Sequence, residues 1–168
     1  GWYLAAFVVL ALVFGNPVRT RVPLFLSHRA TIEALATLLP ADRPFRFLDV
    51  GSGTGRVVVA LARAFPQGEF TGIEQAILPH LLARWRGRGL PNLNLRRADA
   101  FALSWAGYDV LYAFLSPVPM PALWHKACEE LSPGALVCSN EFPIPGLVPE
   151  AHVVPQGTTR PLWLYRVV

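Results

Sequence analysis

Lysine, cysteine and acidic charge are all scarce in this chain of 168 residues. Only Lys126 among its fifteen cationic side chains is a lysine, which we read as a compositional habit rather than as fourteen dedicated guanidinium sites. The two cysteines, Cys128 and Cys138, fit neither a metal-ligand spacing nor a disulfide framework, so the chain suits a reducing compartment and no metal is expected. Eleven acidic residues against fifteen basic ones leave a net charge of +4. Such a balance permits contact with anionic lipid or nucleic acid and proves neither. Charged residues make up 15% of the chain and hydrophobic ones 53%, which excludes a disordered polypeptide. No internal repeat or low-complexity tract is present, and the length suits one domain with a real core.

Mean hydropathy is +0.38, above that of an ordinary soluble domain, and the excess lies in the first fifteen residues. Residues 1–14 (GWYLAAFVVLALVF) carry no charge but fall short of the roughly 20 apolar residues that cross a bilayer core. Residues 1–15 read as an apolar membrane-anchor helix, with Trp2 and Tyr3 at the interface. Arg19, Arg21 and Arg29 then hold the remainder on the cytoplasmic side. A buried helix or a signal-peptide core is the alternative, although no small-residue cleavage site follows. Residues 16–44 form a lead-in with one helix, and 45–168 the main domain.

Beyond the lead-in, strand and helix patterns alternate. Ala30 to Leu39 is apolar at helical spacing; Phe45 to Val50 is a buried strand bounded by Pro44 and Gly51; Thr54 to Phe65 is a helix stopped by Pro66. Glu69 to Ile73 is the second strand. Ile77 to Arg86 is a helix with Leu78, Leu81, Leu82 and Trp85 along one face. Strands follow at Asn92 to Arg96 and Tyr108 to Phe114. A helix opening at Pro121 carries a stripe of Met120, Leu123, Trp124, Ala127, Cys128 and Leu131, and Ala135 to Asn140 is the fifth strand. This alternation predicts a mostly parallel, twisted α/β sheet with helices on both faces. Five prolines between Pro143 and Pro161 interrupt any further helix. An irregular crossover and an antiparallel pair, His152 to Val154 with Leu162 to Val167, are expected there.

The chemistry concentrates where the first strand meets the next helix, in Leu48-Asp49-Val50-Gly51-Ser52-Gly53-Thr54-Gly55-Arg56. Ligands of open parallel sheets bind beyond the carboxyl ends of the strands. Glycines there let backbone approach a ligand, and a helix start offers free N–H donors. A tight turn without a ligand is the alternative. Nucleotide hydrolysis is excluded because the loop has no Lys-Ser/Thr ending, and Arg56 stands where a dinucleotide fingerprint needs glycine. Glu74 closes the second strand, where a carboxylate can accept from both hydroxyls of an adenosine ribose. Asp99 follows the third strand, placed to accept from an adenine amine while Phe101 covers the ring. Asp49, Glu74 and Asp99 thus share one edge of successive strands; taken singly, Glu74 and Asp99 could be solvated surface residues.

In combination these segments resemble the seven-stranded, Rossmann-like S-adenosylmethionine-dependent methyltransferases. FLDVGSGTGR is similar to their first motif, GIEQ to the acidic motif of the second strand, RADAF to the adenine-side motif, and LSPGA to the turn before the fifth strand. The resemblance covers about Phe45 to Val168. It implies cofactor contacts from Asp49, Gly51, Ser52, Gly53, Gly55, Glu74, Gln75, Asp99, Ala100 and Phe101, the first motif lining the methionine portion. Four further features look like the small membrane-associated protein-lysine methyltransferases of the adenine nucleotide translocase and ATP synthase c subunit, with their prokaryotic relatives. These are the apolar N-terminus, VPLFLSHRATIEAL, YAFLSP and NEFPIPG.

The implied reaction is an in-line methyl displacement to a lysine that arrives neutral, on a membrane-embedded protein. Acceptor-side candidates are Tyr112, Ser116 and Pro117 beyond the fourth strand, and Asn140, Glu141 and Phe142 beyond the fifth, with Glu141 attracting the incoming ammonium. His125 reads as a surface or structural residue. Phe114-Leu115-Ser116-Pro117 stands where base-amino methyltransferases usually resemble Asp/Asn-Pro-Pro-aromatic, so no specific nucleic acid is expected. A small-molecule or nucleic-acid methyltransferase, or a membrane-tethered cofactor-binding module without turnover, remains the alternative.

Overall fold

The computed structural model describes residues 29–168. The expected anchor, Trp2, Tyr3, Arg19 and Arg21 lie outside the described residues. Four helices follow in chain order: α1 (Arg29–Leu38), α2 (Arg56–Ala64), α3 (Ile77–Arg86) and α4 (Met120–Glu130). The strands are β1 (Phe45–Val50), β2 (Gly68–Glu74), β3 (Leu93–Arg97), β4 (Val110–Ala113), β5 (Leu136–Asn140), β6 (Ala151–Val153) and β7 (Leu162–Arg166). A short 3-10 turn, Ala100–Ala102, follows β3.

All seven strands form one sheet in the order β3-β2-β1-β4-β5-β7-β6. β1 to β5 pair in parallel, and β7 runs antiparallel between β5 and β6. The order reverses direction at β1, so the crossover from β3 to β4 opens a crevice between the carboxyl ends of β1 and β4. The expected antiparallel C-terminal pair and the irregular crossover before it are both present.

β1 shows why the central strands are continuous apolar runs. Phe45 and Phe47 enter the core beneath α1 and α2 beside Leu35, Val58 and Phe70. Leu48 and Val50 enter the opposite core with Met120, Leu123 and Trp105. Both faces of a parallel sheet are covered, and both must be apolar. Phe45 meets Phe70 edge-on at 5.6 Å between centroids, the geometry aromatic quadrupoles favour. The sole lysine is committed to the second core: Lys126 pairs with Glu130 and lies over the Trp105 ring. Glu130 also accepts the Trp105 backbone N–H at 2.6 Å, and the Lys126 hydrogen bond holds its carboxyl below the usual range.

Four local details differ from the pattern. β4 is shorter than expected because Tyr108 leaves the ladder: its hydroxyl meets Thr71 at 3.0 Å and Arg46 stacks over its ring. α2 starts at Arg56 because Gly55, at φ 76°, occupies the left-handed region just before it. The third difference is larger. On α3, Pro79, His80 and Ala83 are buried, whereas Leu78, Leu81, Leu82 and Trp85 are exposed. A Cβ on Gly55 would lie 2.8 Å from the Ala83 Cβ, so α3 approaches the glycine loop too closely for a large side chain. The small-residue face is drawn inward and the leucines turn out. On α4 the expected stripe is buried at Met120, Leu123, Ala127 and Leu131, while Trp124 is half-buried and Cys128 lies at the surface. Among the described residues no helix is long and apolar enough to cross a membrane.

Candidate active site

The carboxyl edge of the sheet collects the residues singled out above. Gly51, Gly53 and Gly55 all have positive φ, from 54° to 76°, which costs glycine little and other residues more. Space is as restrictive as conformation at Gly51, where a Cβ would meet the Leu115 side chain at 2.8 Å. The loop is tied down from both sides. The N–H groups of Gly51 and Ser52 donate to the Ile73 carbonyl at 3.0 and 2.9 Å. From the end of α3, Arg86 reaches back to the Thr54 carbonyl at 2.9 Å.

Glu74, the last residue of β2, organises this edge. One carboxylate oxygen accepts the Gly53 N–H at 2.8 Å and the other the Ala76 N–H at 2.7 Å. Each oxygen retains a second lone pair, so the carboxylate is held in place with acceptor capacity left for a ligand. Gln75 beside it is exposed. Asp99, expected at the base, lies two residues past β3 and is exposed; one oxygen caps the 3-10 turn by accepting the Phe101 N–H at 2.9 Å. Ala100 and Phe101 are half-buried, and the Phe101 ring packs against Trp105 at 5.5 Å.

Asp49 is the most perturbed acid of the site. It is buried in β1, and burial, reinforced by the Glu74 charge, pushes its carboxyl up to about 8 against a hydrogen bond from the Val58 N–H. A carboxyl in that state is largely neutral at pH 7 and ionises when a cation arrives beside it.

The residues expected on the acceptor side lie at β4 and β5. Tyr112 falls inside β4, buried, and its hydroxyl accepts the Asn140 amide N–H at 3.0 Å. That bond orients Asn140 and leaves its carbonyl oxygen buried without a hydrogen-bond partner, as is the Ser116 hydroxyl just past β4. Thr54 Oγ1 in the glycine loop is in the same state. Buried polar atoms without partners are rare in folded proteins and mark places where a ligand or water belongs. Pro117 is exposed. Glu141 has φ 71°, the one positive value among described non-glycine residues. Its N–H is held by the Pro161 carbonyl at 2.7 Å, its carbonyl by the Trp163 indole at 3.0 Å, and its carboxylate faces Arg160 at 3.3 Å. Phe142 is half-buried against the core, its carbonyl accepting from the Ser139 hydroxyl.

Thr54, His80 and Arg160 belong to this neighbourhood and were not among the expected site residues. Thr54 lies inside the glycine motif and could have been read from it. His80 is buried, and its imidazole is pushed below its ordinary range by burial and by Arg84 and Arg97. Arg160 reaches Glu141 only through the proline-rich crossover, a pairing that no spacing announces.

Sheet order, crevice and glycine loop define a Rossmann-like methyltransferase fold. An RNA methyltransferase from Salinibacter ruber, solved with S-adenosyl-L-homocysteine, superposes with a TM-score of 0.76 at 24% identity, over 85% of this chain and 94% of that one. Residues 49–151 match the model of the ANTKMT methyltransferase domain, and the chain belongs to that family. The mouse (Mus musculus) adenine nucleotide translocase lysine N-methyltransferase is 34% identical over 90% of this chain and 66% of its own length. The rat (Rattus norvegicus) lysine N-methyltransferase of the ATP synthase c subunit is 30% identical over 70% of this chain and 54% of its length. The chain thus spans about half to two thirds of these two relatives.

Proposed function

We propose that this chain is an S-adenosylmethionine-dependent methyltransferase acting on lysine side chains of a membrane-associated protein. The observation that carries the reading is the row of unpaired buried polar atoms along adjacent strand ends, Thr54 Oγ1 after β1, Ser116 Oγ after β4 and Asn140 Oδ1 on β5. Family membership names the chemistry such a row would serve. The cofactor, when bound, supplies an activated methyl group on a positively charged sulfur. The residues fit it: the Glu74 carboxylate is fixed by two backbone N–H groups with acceptor capacity to spare, and a buried carboxyl at Asp49 awaits a cation. Glu74 would hold the ribose hydroxyls and Asp99 with Phe101 the base. Gly51, Ser52, Gly53, Gly55, Gln75 and Ala100 would complete the cradle.

On the acceptor side the protein mainly has to hold and orient. A lysine ammonium entering between β4 and β5 loses a proton to water. The neutral amine would donate its N–H groups to Asn140 Oδ1 and Ser116 Oγ, leaving its lone pair directed at the methyl carbon. Tyr112 is a positioning residue acting through the Asn140 amide. Glu141 attracts the ammonium less strongly than a lone carboxylate, since Arg160 neutralises it; Pro117 and Phe142 would shape the entrance. Residues 1–15 would anchor the chain ahead of the 16–44 lead-in and the 45–168 domain, with Arg19, Arg21 and Arg29 keeping the site cytoplasmic.

The test is incubation of the full chain with methyl-labelled cofactor and a membrane extract. Label in a membrane-protein band that hydrolyses to methyl-lysine is expected. Label confined to lipid, metabolite or RNA fractions would overturn the lysine assignment.

A further inference from the structure

The outward face of α3 is the largest feature that the catalytic reading does not use. Ile77, Leu78, Leu81, Leu82 and Trp85 form a contiguous apolar stripe at helical spacing, with Trp85 62% and Leu81 52% exposed. Neither core needs them, since α3 closes onto the sheet through Pro79, His80 and Ala83. The charge around the stripe is one-sided. From Gln75 to Ala98 the sequence contains no aspartate or glutamate but five arginines. Four of them, Arg84, Arg88, Arg96 and Arg97, are exposed. Among the described residues none of the four has a carboxylate within ion-pair distance, and Arg88 lies 4.8 Å over the Trp85 ring.

We propose that the α3 face, with the arginines of α3 and β3, docks on an anionic lipid bilayer. A helix with leucine and tryptophan on one side and arginine beside them lies in the interfacial plane of such a membrane, where each cation near the surface is attracted. Charge decides against the other occupants. Residues 1–28 carry Arg19 and Arg21 and no acidic residue, so this chain's own apolar segment would bring like charge to the patch. A second copy would bring the same arginines. α3 begins three residues after Glu74, so docking this helix sets the mouth of the crevice against the bilayer. The proposal stands whether or not the chain transfers methyl groups.

Hydrogen exchange on the full chain in vesicles tests it, comparing phosphatidylcholine alone with equal parts of phosphatidylcholine and phosphatidylglycerol. Amides of residues 77–88 are expected to exchange about tenfold more slowly in the anionic vesicles, and high salt should reverse the effect. The Leu81→Ser/Trp85→Ser variant should lose this protection while keeping the parent's circular dichroism and thermal midpoint. Arg84→Gln/Arg88→Gln should weaken it with the apolar stripe intact. Equal exchange in the two lipids overturns the proposal. So does protection that is independent of lipid charge and salt, which means residues 1–28 cover the face. Protection that rises with protein density means a second copy does, and overturns it too.

Discussion

α3 and α4 carry apolar stripes of similar length and opposite fate. On α4, Met120, Leu123 and Ala127 are fully buried beneath β4 and β5, and Leu131 nearly so. On α3 the leucines and Trp85 face outward, and the buried residues are a proline, a histidine and an alanine. Periodicity identifies an apolar face but not what covers it. The covering is set by how closely the helix must approach its neighbours. α4 packs at a distance that admits Leu and Met, whereas α3 is drawn against Gly55 and Val59 until only Ala83 fits. Helix packing against the loop has been given priority over hiding leucine from water.

Paired substitutions should break or confirm this contrast. Leu123→Ala is expected to cost about 2–5 kcal/mol in urea unfolding, the usual range for a core leucine. Leu81→Ala should cost less than about 0.5 kcal/mol, as for a surface change. Similar losses at both sites would mean that the α3 face is covered within the folded chain. Gly55→Ala examines the approach itself. It adds a Cβ 3.1 Å from the Ala83 Cα at a left-handed backbone position, and should cost about 1–3 kcal/mol while loosening the loop against α3.

Asp49 carries the same contrast of closed and open surroundings to a single charge. Its folded pKa of about 8 lies above the reference 3.8, so the folded state holds a proton that the unfolded chain has lost. Stability therefore falls as pH rises from about 4 to 8, by at most about 1.4 kcal/mol per unit, and levels off above. Denaturation at several pH values should show this slope in the parent and its loss in Asp49→Asn. The smallest effect is chemical. Cys128 on the outer side of α4 should react with a thiol reagent in the native protein. Cys138, buried and pushed up to about 12, should react only after unfolding.

Much of the fold was legible because central parallel strands are short apolar runs closed by proline or glycine. β1 and α3 coincide with their expected bounds, and β2, β3, β5 and the C-terminal pair fall within a residue or two. The placement of Asp49, Glu74 and Asp99 along one edge was legible because a strand's carboxyl end is a position that sequence can count. What could not be read depends on tertiary distance. The Glu74 clamp on Gly53 and Ala76 needs the loop folded back on β2. Tyr112 supports Asn140 only because β4 and β5 lie side by side in register, and Arg160 meets Glu141 only after the crossover has turned. The raised carboxyl of Asp49 comes from solvent exclusion, which has no spacing.

The capture of Lys126 by Glu130 and Trp105 has a practical corollary. A chain whose one lysine is already engaged offers itself poorly as a target, so self-labelling should contribute little background to the methylation assay proposed above. Amine-directed crosslinkers would meet the same scarcity and report chiefly on whatever protein is presented to it.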